Sequence, residues 1–448
     1  MTGMTLREIV SASNALWTGD EALLEQSPVN IVTDSRAVEP GSLFIAFRGE
    51  RVDAHRFIPE VLQKGALAVL CEEAGAPGEP RIVVPEVFAA MRAAAKMNRD
   101  RADMRFIGIT GSVGKTTAKE MMAAVLSAHY RTFRTPGNAN GQVGTPITFM
   151  SLTPGYELGV MEMAISIPGE MAKLGALVRP DMGVFMNIAD AHLEALHDRQ
   201  GILREKCEML SHTPPEGPVF INGDDPLLRG HDFGHPVTSF GLGESCDVRA
   251  VDVRSEGEGQ SFTVVSGERR FPVRIDAYGS YMIYAALAAA AVALHLGLTE
   301  EEIRRGMLDF RTVGHRSRVV HTHLCTLVDD AYNANPAGNR AAIDSLAAIP
   351  GRRVCFLGDM REMGPDSPRI HRELGEYIAA HGVDALYTEG EDAAFITEGA
   401  AGVPGRHFPD RASMLAALPE LLRKGDAVLV KASRGAGFEN VSAAIEKL

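Results

Sequence analysis

RFIGITGSVGKTT, residues 105–117, combines a short apolar run, a turn of small residues and the start of a helix. The apolar run 106–109 predicts a buried strand, and the segment that begins at Lys115 has helix-forming composition with apolar residues near helical spacing. A glycine-rich turn between a strand and a helix binds phosphate, because its backbone N–H groups and the positive end of the helix dipole point at the anion. The segment therefore predicts a nucleotide-binding loop.

Two side chains of this loop are suited to phosphate and Mg²⁺. Lys115 can reach the β- and γ-phosphates, and the Thr116 hydroxyl can bind Mg²⁺. The spacing departs by one residue from the usual G-x-x-x-x-G-K-[ST] pattern, because Ile109 occupies the position of the first glycine. A chance glycine turn is the alternative, but the strand–turn–helix context favours a nucleotide. The predicted nucleotide-binding residues of the loop are Gly111, Ser112, Val113, Gly114, Lys115, Thr116 and Thr117.

Length and composition indicate an ordinary globular protein and argue against several classes. The 448 residues suggest about three domains, with 45% hydrophobic residues to form their cores. A net charge of −13 argues against nucleic acid as the main partner, because phosphate backbones bind basic surfaces. We see neither a signal-peptide pattern nor a membrane-length apolar run, so we expect no membrane span and a cytoplasmic location. The five cysteines lack CxxC spacing, which argues against disulfides and structural zinc.

The pattern of strands and helices divides the chain into three predicted domains. Residues 1–103 alternate short β segments with helices, as in a small α/β domain. Residues 104–312 have the alternation of a doubly wound, mostly parallel sheet, and within them residues 246–275 are polar and alternating, as in an antiparallel edge ribbon. Residues 313–448 repeat the strand–loop–helix alternation and predict a second, Rossmann-like sheet.

Polar residues follow several predicted strands, at the positions where open parallel sheets bind ligands. Glu162 lies near the end of the strand ELGVMEMA, and a carboxylate suits Mg²⁺. His192 follows the next strand and Lys206 lies in a predicted helix. A lone histidine is more often structural and a lone lysine more often solvated, but a phosphate loop and a carboxylate in the same domain favour a shared site. In the third domain, the corresponding polar residues are Asp329, Asp330, Tyr332, Asn333, Asn335, Lys431, Ser433 and Arg434.

The order of these motifs resembles that of the Mur ligases, and within them the MurF type, over nearly the whole chain. The resemblance rests on TDSR, GSLFIAFRGE, ITGSVGKTT, TPGNANGQVGTP, NIADAHLE, REKCE, INGDD, GHR, DDAYNANP, LGDMREMG and VKASR. It implies an ATP-dependent ligase of peptidoglycan precursor synthesis that activates a carboxylate of UDP-MurNAc-tripeptide as an acyl phosphate and joins it to D-Ala-D-Ala. Catalysis of this kind depends mainly on positioning and on neutralisation of charge.

The resemblance also implies roles for individual residues. Lys115, His192 and Lys206 would be catalytic, and Thr116, Glu162, His192 and Lys206 would belong to two Mg²⁺ sites, with Lys206 carbamylated as in the family. Nucleotide contacts from the third domain are implied for Arg316, Asp330, Asn333 and Asn335. Substrate contacts are implied for Asp34, Ser35, Arg36, Asn138, Asn140, Lys431 and Ser433. From the residues alone, the DSR segment reads more simply as a polar turn. We expect a monomer whose C-terminal domain closes over ATP.

Several positions depart from the family pattern. The glutamate segment 162–170 reads EMAISIPGE instead of E-x-G-x-N-x-x-G-E, and Ala54 replaces the glycine of a D-G-H triplet. Tyr281 and Ala285 occupy positions where histidine and asparagine are frequent. Two alternatives therefore stay open: a MurF-like amide ligase acting on another carboxylate, and a nucleotide-binding protein without catalysis. The N-terminal domain weighs against the first, and the retained lysines, histidine and glutamate weigh against the second.

Overall fold

The computed structural model describes residues 2–49, 52–191, 193–256, 259–277 and 279–448, and over these residues the chain forms three β-sheets flanked by helices. All three sheets are mostly parallel, which confirms the predicted α/β class. In the same residues, no helix is both long and apolar enough to cross a membrane.

The N-terminal sheet is small and its helices surround it. Its strands are β1 (Leu16–Trp17), β2 (Ile31–Val32), β3 (Leu43–Ile45), β4 (Ala68–Cys71) and β5 (Arg81–Val83). Its helices are α1 (Leu6–Ser13), α2 (Ile58–Gln63) and α3 (Val87–Arg101). The strand order is β1-β5-β4-β3-β2, with β1 antiparallel to β5 and the other pairs parallel.

The central sheet carries the phosphate loop after its first strand. Its strands are β6 (Arg105–Thr110), β7 (Thr132–Arg134), β8 (Leu158–Glu162), β9 (Met182–Phe185), β10 (Val219–Asn222), β11 (Val237–Gly241), β12 (Val248–Glu256), β13 (Gly259–Ser266) and β14 (Arg269–Ile275). They lie in the order β14-β13-β12-β11-β10-β9-β6-β8-β7. β12, β13 and β14 pair antiparallel at one edge, which confirms the predicted ribbon. The chain order reverses at β6, where α/β sheets bind ligands.

The helices of the central domain cover both faces of this sheet. They are α4 (Lys115–Leu126), α5 (Gly144–Ser151), α6 (Glu170–Val178), α7 (Leu193–Leu196), α8 (Arg199–Cys207), α9 (Pro226–Arg229), α10 (Ser280–His295) and α11 (Glu300–Asp309). α10 packs against α4, and its alanines are buried in the core, where their small side chains allow close approach. Ala285, which differs from the family pattern, is 1% exposed and packs in this core. It does not line the cleft between the central and C-terminal domains.

The N-terminal and central domains share one apolar core that reaches from α1 and α3 to β8 and α6. The side chain of Asn98 on α3 donates hydrogen bonds to the carbonyls of Phe149 and Leu152 at 2.7 and 2.8 Å. Because α3 packs on the central domain, the boundary at residue 103 separates two domains that are firmly joined. The boundaries at 103 and 312 stay predictions.

The C-terminal sheet has cores of its own on its two faces. Its strands are β15 (Arg318–His321), β16 (Cys325–Asp329), β17 (Arg353–Gly358), β18 (Ala385–Glu389), β19 (Gly405–Phe408) and β20 (Asp426–Lys431). Its helices are α12 (Pro336–Leu346), α13 (Ser367–Ala380), α14 (Ala394–Gly399), α15 (Arg411–Leu421) and α16 (Glu439–Ile445). The strand order is β15-β16-β20-β17-β18-β19, with β15 antiparallel to β16 and the remaining pairs parallel.

All five cysteines are free, and none is exposed: Cys71, Cys246, Cys325 and Cys355 are buried, and Cys207 is partly buried. Burial raises the pKa of each thiol, to about 12 for Cys207 and Cys355 and to about 11 for Cys246. A thiol with a raised pKa is a weak nucleophile at neutral pH.

Candidate active site

A cleft of about 500 Å³ lies between the central and C-terminal domains. Its central wall consists of the loop 112–117, part of the segment 135–146, Glu162 and the residues after it, Ala191 and Tyr281. Its C-terminal wall contains Arg316, Ser317, Asp330, Tyr332, Asn333, Ala334, Asn335, Arg361, Lys431, Ser433, Arg434 and Gly435. The cleft therefore brings together most of the residues that the sequence singled out in the two domains.

The conformation of the phosphate loop is set by Gly114 and by hydrogen bonds from Asn187. Gly114 has φ +79° and precedes α4 directly, a conformation that a side chain would strain. The amide of Asn187 bonds both backbone groups of Val113, accepting from its N–H at 2.9 Å and donating to its carbonyl at 2.9 Å. The Ser112 hydroxyl bonds the backbone of Ala189. These bonds fix the loop from the end of β9, the neighbouring strand.

Lys115 and Lys206 converge on one carbonyl of this loop. Their ammonium groups donate to the Gly111 oxygen at 2.7 and 3.0 Å, and Lys206 is only 2% exposed. Burial lowers the pKa of Lys115, and the nearby Arg316 lowers it further. Burial and the charge of Lys115 lower the pKa of Lys206 well below its usual value. Two buried lysines this close disfavour each other's charged form.

Glu162 offers an oxygen that suits a divalent cation. Its Oε1 accepts hydrogen bonds from Thr116 at 2.9 Å and from the Asn140 amide at 2.7 Å. Its Oε2 is buried and accepts no hydrogen bond from any residue that the structure describes. A buried carboxylate oxygen without a donor, beside a phosphate loop and a threonine hydroxyl, fits Mg²⁺.

Lys119 is a member of this site that sequence reasoning missed. Its side chain is fully buried, and its ammonium donates to the carbonyls of Thr135 and Gly137 at 2.8 and 2.7 Å. The same group lies 2.9 Å from Glu120 and 3.7 Å from Glu162 Oε2. Lys119 thus ties the 135–146 loop and the strand-end carboxylate to α4. Lys119 lies one helical turn after Lys115 on the same face of α4, and this spacing could have indicated in the sequence that it belongs to the site.

The backbone of the segment 162–170, which departs from the family pattern, is held by hydrogen bonds to two carboxylates, Glu170 and Glu205. The backbone N–H groups of Ser166 and Ile167 donate to Glu170, and those of Gly169 and Met171 donate to Glu205. Ala164, Ile165 and Ser166 line the cleft. The loop is therefore well ordered by hydrogen bonds in spite of its unusual sequence.

On the C-terminal wall, two predicted nucleotide residues occupy defined positions. The Arg316 guanidinium stacks on the Tyr332 ring at 3.5 Å from its centroid. Asp330 accepts from the Ser317 backbone and hydroxyl, at 3.0 and 3.2 Å, and pairs with Lys431. Lys431 also donates to the Asn333 carbonyl at 2.8 Å, so its ammonium is already committed.

The remaining predicted residues of this wall support its loops. Ser433 accepts from the Arg361 N–H at 2.9 Å and contacts the Ala334 carbonyl. The Asn335 side chain accepts from the Gly338 N–H at 2.7 Å and so caps α12, with Pro336 as its first residue. Asn138 of the central domain also lines the cleft. His192 lies outside the described residues, and its neighbour Ala191 lines the cleft.

Two motifs of the N-terminal domain do not line the cleft. Asp34 pairs with the exposed Arg36 and accepts from its backbone N–H, and the guanidinium holds the pKa of Asp34 at about 2. Ser35 is buried and its carbonyl accepts from Lys64 at 2.9 Å. A polar turn accounts for these contacts, and the UDP-sugar assignment stays a prediction.

The D-A-H triplet is likewise satisfied internally. Asp53 accepts from the His55 backbone at 3.0 Å and from its Nδ1 at 2.7 Å. The His55 Nε2 accepts from the Glu72 N–H at 3.0 Å. Both ring nitrogens are used, so the triplet joins a turn to the end of β4, and Ala54 leaves these contacts in place.

Comparison with known proteins agrees with this architecture. The Mur ligase family catalytic domain matches residues 29–109, the Mur ligase middle domain matches 109–293, and the Mur ligase glutamate ligase domain matches 315–434. The UDP-N-acetylmuramoyl-tripeptide–D-alanyl-D-alanine ligase of Bacillus subtilis strain 168 is 33% identical over 429 residues, which cover 93% of both chains.

Two solved structures have the same fold. The crystal structure of MurF from Acinetobacter baumannii superposes with a TM-score of 0.87 at 29% identity and covers 99% of each chain. MurF ligase from Thermotoga maritima, in complex with ADP, superposes with a TM-score of 0.81 at 29% identity and covers 93% of this chain and 97% of its own. With all three Mur domains in order and similarity of this extent, the chain belongs to the Mur ligase family and within it to the MurF type.

Proposed function

We propose that this chain is the ATP-dependent ligase that joins D-Ala-D-Ala to UDP-MurNAc-tripeptide in peptidoglycan precursor synthesis. The observation that carries the proposal is the arrangement of the cleft. In it, a phosphate loop and a strand-end carboxylate of the central domain face a cationic wall of the C-terminal domain. The name of the Bacillus subtilis relative, which covers 93% of this chain, supports the same substrates.

The reaction needs a carboxylate to gain a leaving group. The γ-phosphoryl group of ATP passes to the tripeptide carboxylate, giving an acyl phosphate and ADP. The amine of D-Ala-D-Ala then attacks the acyl carbon, and inorganic phosphate leaves as the amide forms. Lys115 and the backbone of the loop would hold the β- and γ-phosphates, and Arg316 and Asp330 would contact the nucleotide from the facing wall. These residues work by positioning and charge neutralisation.

Mg²⁺ fits the donors on the central wall. Thr116 and Glu162 would bind it, with His192 and a carbamylated Lys206 completing two sites; the ions would neutralise phosphate charge. The buried Glu162 Oε2, which accepts no hydrogen bond from the described residues, supports this assignment. The lowered pKa of Lys206 supports carbamylation, because only a neutral amine reacts with CO₂. The resulting carbamate would place an anion beside Lys115.

Closure of the C-terminal domain would complete the site and exclude water. The N-terminal and central domains share one core, whereas the C-terminal domain has cores of its own. This division supports movement of the C-terminal domain relative to the other two, about the chain near residue 312. We also propose that the enzyme is a cytoplasmic monomer. Small-angle scattering should give the radius of a monomer that contracts when an ATP analogue and substrates are added; an unchanged radius would contradict closure.

Phosphate release tests the proposed reaction. The purified protein is incubated with Mg·ATP, UDP-MurNAc-tripeptide and D-Ala-D-Ala, each substrate is omitted in turn, and the product is analysed by mass. We expect turnover that requires all three and a product heavier by one dipeptide. Binding of ATP without turnover, with tripeptides carrying either common third residue, would instead favour a ligase for another carboxylate.

A further inference from the structure

Glu205 is a carboxylate beside the site that the proposed reaction leaves without a role. It lies on α8, directly before Lys206. Its Oε2 accepts from the Gly169 N–H at 2.9 Å, and its Oε1 accepts from the Met171 N–H at 2.9 Å. These N–H groups belong to the start of α6, which has no side-chain cap of its own because Gly169 precedes it. Glu205 therefore caps α6 from a different helix, where free N–H groups and the helix dipole favour a carboxylate.

The bonds made by Glu170 show that this cap has a purpose other than ordering the preceding loop. The Glu170 carboxylate accepts from the Ser166 and Ile167 N–H groups at 2.7 and 3.2 Å. The loop that lines the cleft is thus held from within its own segment, and the bonds of Glu205 link α6 to α8 instead. A helix carboxylate is ordinarily solvated, so two charge-assisted bonds to another helix fix the position of α8.

This link joins the two elements that carry proposed metal ligands. Glu162 ends β8 and leads into the segment that α6 continues, and Lys206 is the residue after Glu205. The Glu162 end is fixed as well, because its N–H donates to the Thr135 hydroxyl at 2.9 Å. Lys206 is 2% exposed and donates to the Gly111 carbonyl at 3.0 Å. With the segment fixed at β8, the bonds of Glu205 determine where α8 presents Lys206 to the site.

The rotation of α8 about its axis is fixed by the same bonds. Successive residues of an α-helix point about 100° apart, so Glu205 and Lys206 face different neighbours. While Glu205 holds α6, Lys206 points toward the phosphate loop. A rotation of α8 that released Glu205 would also withdraw the Lys206 ammonium from the Gly111 carbonyl.

We propose that Glu205 is a positioning residue that holds Lys206 where its amine becomes carbamylated beside the proposed Mg²⁺ site. In that step the neutral amine attacks CO₂, a bond forms between Nζ and the CO₂ carbon, and one amine proton passes to water. An anionic carbamate is left. The inference rests on the proposed function, in which this carbamate belongs to the metal site.

A carbamate signal tests the inference separately from turnover. The full chain is equilibrated with isotopically labelled bicarbonate and Mg²⁺, and the carbamate carbon is followed by NMR, with Lys206→Met as the blank. We expect the signal in the wild type and its loss, on the order of 10-fold or more, in Glu205→Ala.

Kinetics give a second measurement on the same variant. With Mg·ATP, UDP-MurNAc-tripeptide and D-Ala-D-Ala, kcat of Glu205→Ala should fall about 10- to 100-fold, and the Mg²⁺ concentration for half-maximal rate should rise. KM for ATP at saturating Mg²⁺ should stay within about twofold, because Gly114 and Asn187 hold the phosphate loop independently of α8.

Three variants separate positioning from general support of the segment. Glu170→Ala removes two bonds within the segment but leaves Glu205 in place, so it should loosen the loop while the carbamate signal persists. Glu205→Gln keeps the length and one acceptor oxygen, and should show an intermediate signal and kcat. Glu208→Ala removes an exposed carboxylate that accepts from the Ser211 hydroxyl at 2.9 Å, and should change neither. ADP binding by each variant reports that it is folded.

The outcomes distinguish this inference from the function on which it rests. If the wild type carries the carbamate, loses it in Glu205→Ala and does not use the three substrates, the proposed substrates are wrong and the positioning role stands. Turnover by a wild type without a Lys206 carbamate would overturn the inference, and the absence of both would overturn the two together. An unchanged signal in Glu205→Ala, or an equal loss in Glu170→Ala, would also contradict it. Should Glu205→Ala fail to fold, Glu205→Gln decides, and an undiminished signal and kcat in that variant would refute the positioning role.

Discussion

Replacing Lys119 by methionine should destabilise the central domain far more than replacing an exposed lysine. Methionine has nearly the same length but cannot donate to the carbonyls of Thr135 and Gly137. It also removes a neighbouring cation from two carboxylates, of which Glu120 is 8% exposed and Glu162 is 1% exposed. Glu120 retains Arg134 at 2.7 Å, whereas Glu162 Oε2 retains no donor among the described residues.

The size of the effect follows from that geometry. Removing one partner of a buried ion pair costs about 3–5 kcal/mol, because the other charge stays buried and unpaired. We therefore expect Lys119→Met to lower the free energy of unfolding by about 3–5 kcal/mol. The matched control is Lys96→Met: Lys96 is 60% exposed and pairs with Asp100 at 2.6 Å one turn away. An exposed pair of this kind contributes less than about 0.5 kcal/mol.

Urea unfolding of the three proteins at pH 7, followed by circular dichroism, measures the difference. Mg²⁺ should stabilise Lys119→Met more than Lys96→Met, because a cation bound at Glu162 supplies the missing positive charge in addition to the stabilisation that Mg²⁺ binding gives both proteins. A loss below about 1 kcal/mol would refute the assignment of Lys119 as the countercharge of this site. An equal Mg²⁺ effect on all three proteins would refute its link to Glu162.

Three further substitutions test the other parts of the central wall. In CO₂-free buffer, Lys206→Met should be more stable than the wild type near pH 7, because burial disfavours the protonated amine in the folded protein, whereas the unfolded chain carries it without that cost. This gain should shrink as the pH approaches 10.5, the usual pKa of lysine, and urea titrations giving a constant gain would contradict it. Gly114→Ala places a side chain at φ +79° and should cost about 1–2 kcal/mol and weaken ADP binding; calorimetry showing equal affinity would count against the strained-loop argument. Glu162→Gln should raise the Mg²⁺ concentration needed for half-maximal phosphate release, and an unchanged requirement would remove Glu162 from the metal site.

Local patterns in the sequence were sufficient for the phosphate loop and the strand-end carboxylate. β6, the glycine turn and α4 follow one another directly, so hydrophobic periodicity and residue chemistry identify them without tertiary information. The helix cap formed by Asn335 before Pro336 can also be recognised from local sequence. The resemblance to the family implied a nucleotide contact for Asn335 instead.

Contacts between distant segments could not be predicted in the same way. Lys431 and Asp330 are 101 residues apart, and nothing in either segment indicates that they pair. Lys119 lies in the sequence AKEMM, where a lysine on a helix is usually solvated, and its burial follows from the packing of the 135–146 loop and β8 around α4. Side-chain partnership depends on the fold, and composition does not reveal it.

The buried, weakly nucleophilic thiols make this chain a convenient background for site-specific labelling. Maleimide dyes react with thiolates, which the raised pKa values of all five native cysteines disfavour at neutral pH. A cysteine introduced at exposed Lys96 in the N-terminal domain and another at exposed Arg369 in the C-terminal domain would then carry a donor and an acceptor fluorophore. Energy transfer between them would follow domain closure during single turnovers, without first removing the natural cysteines.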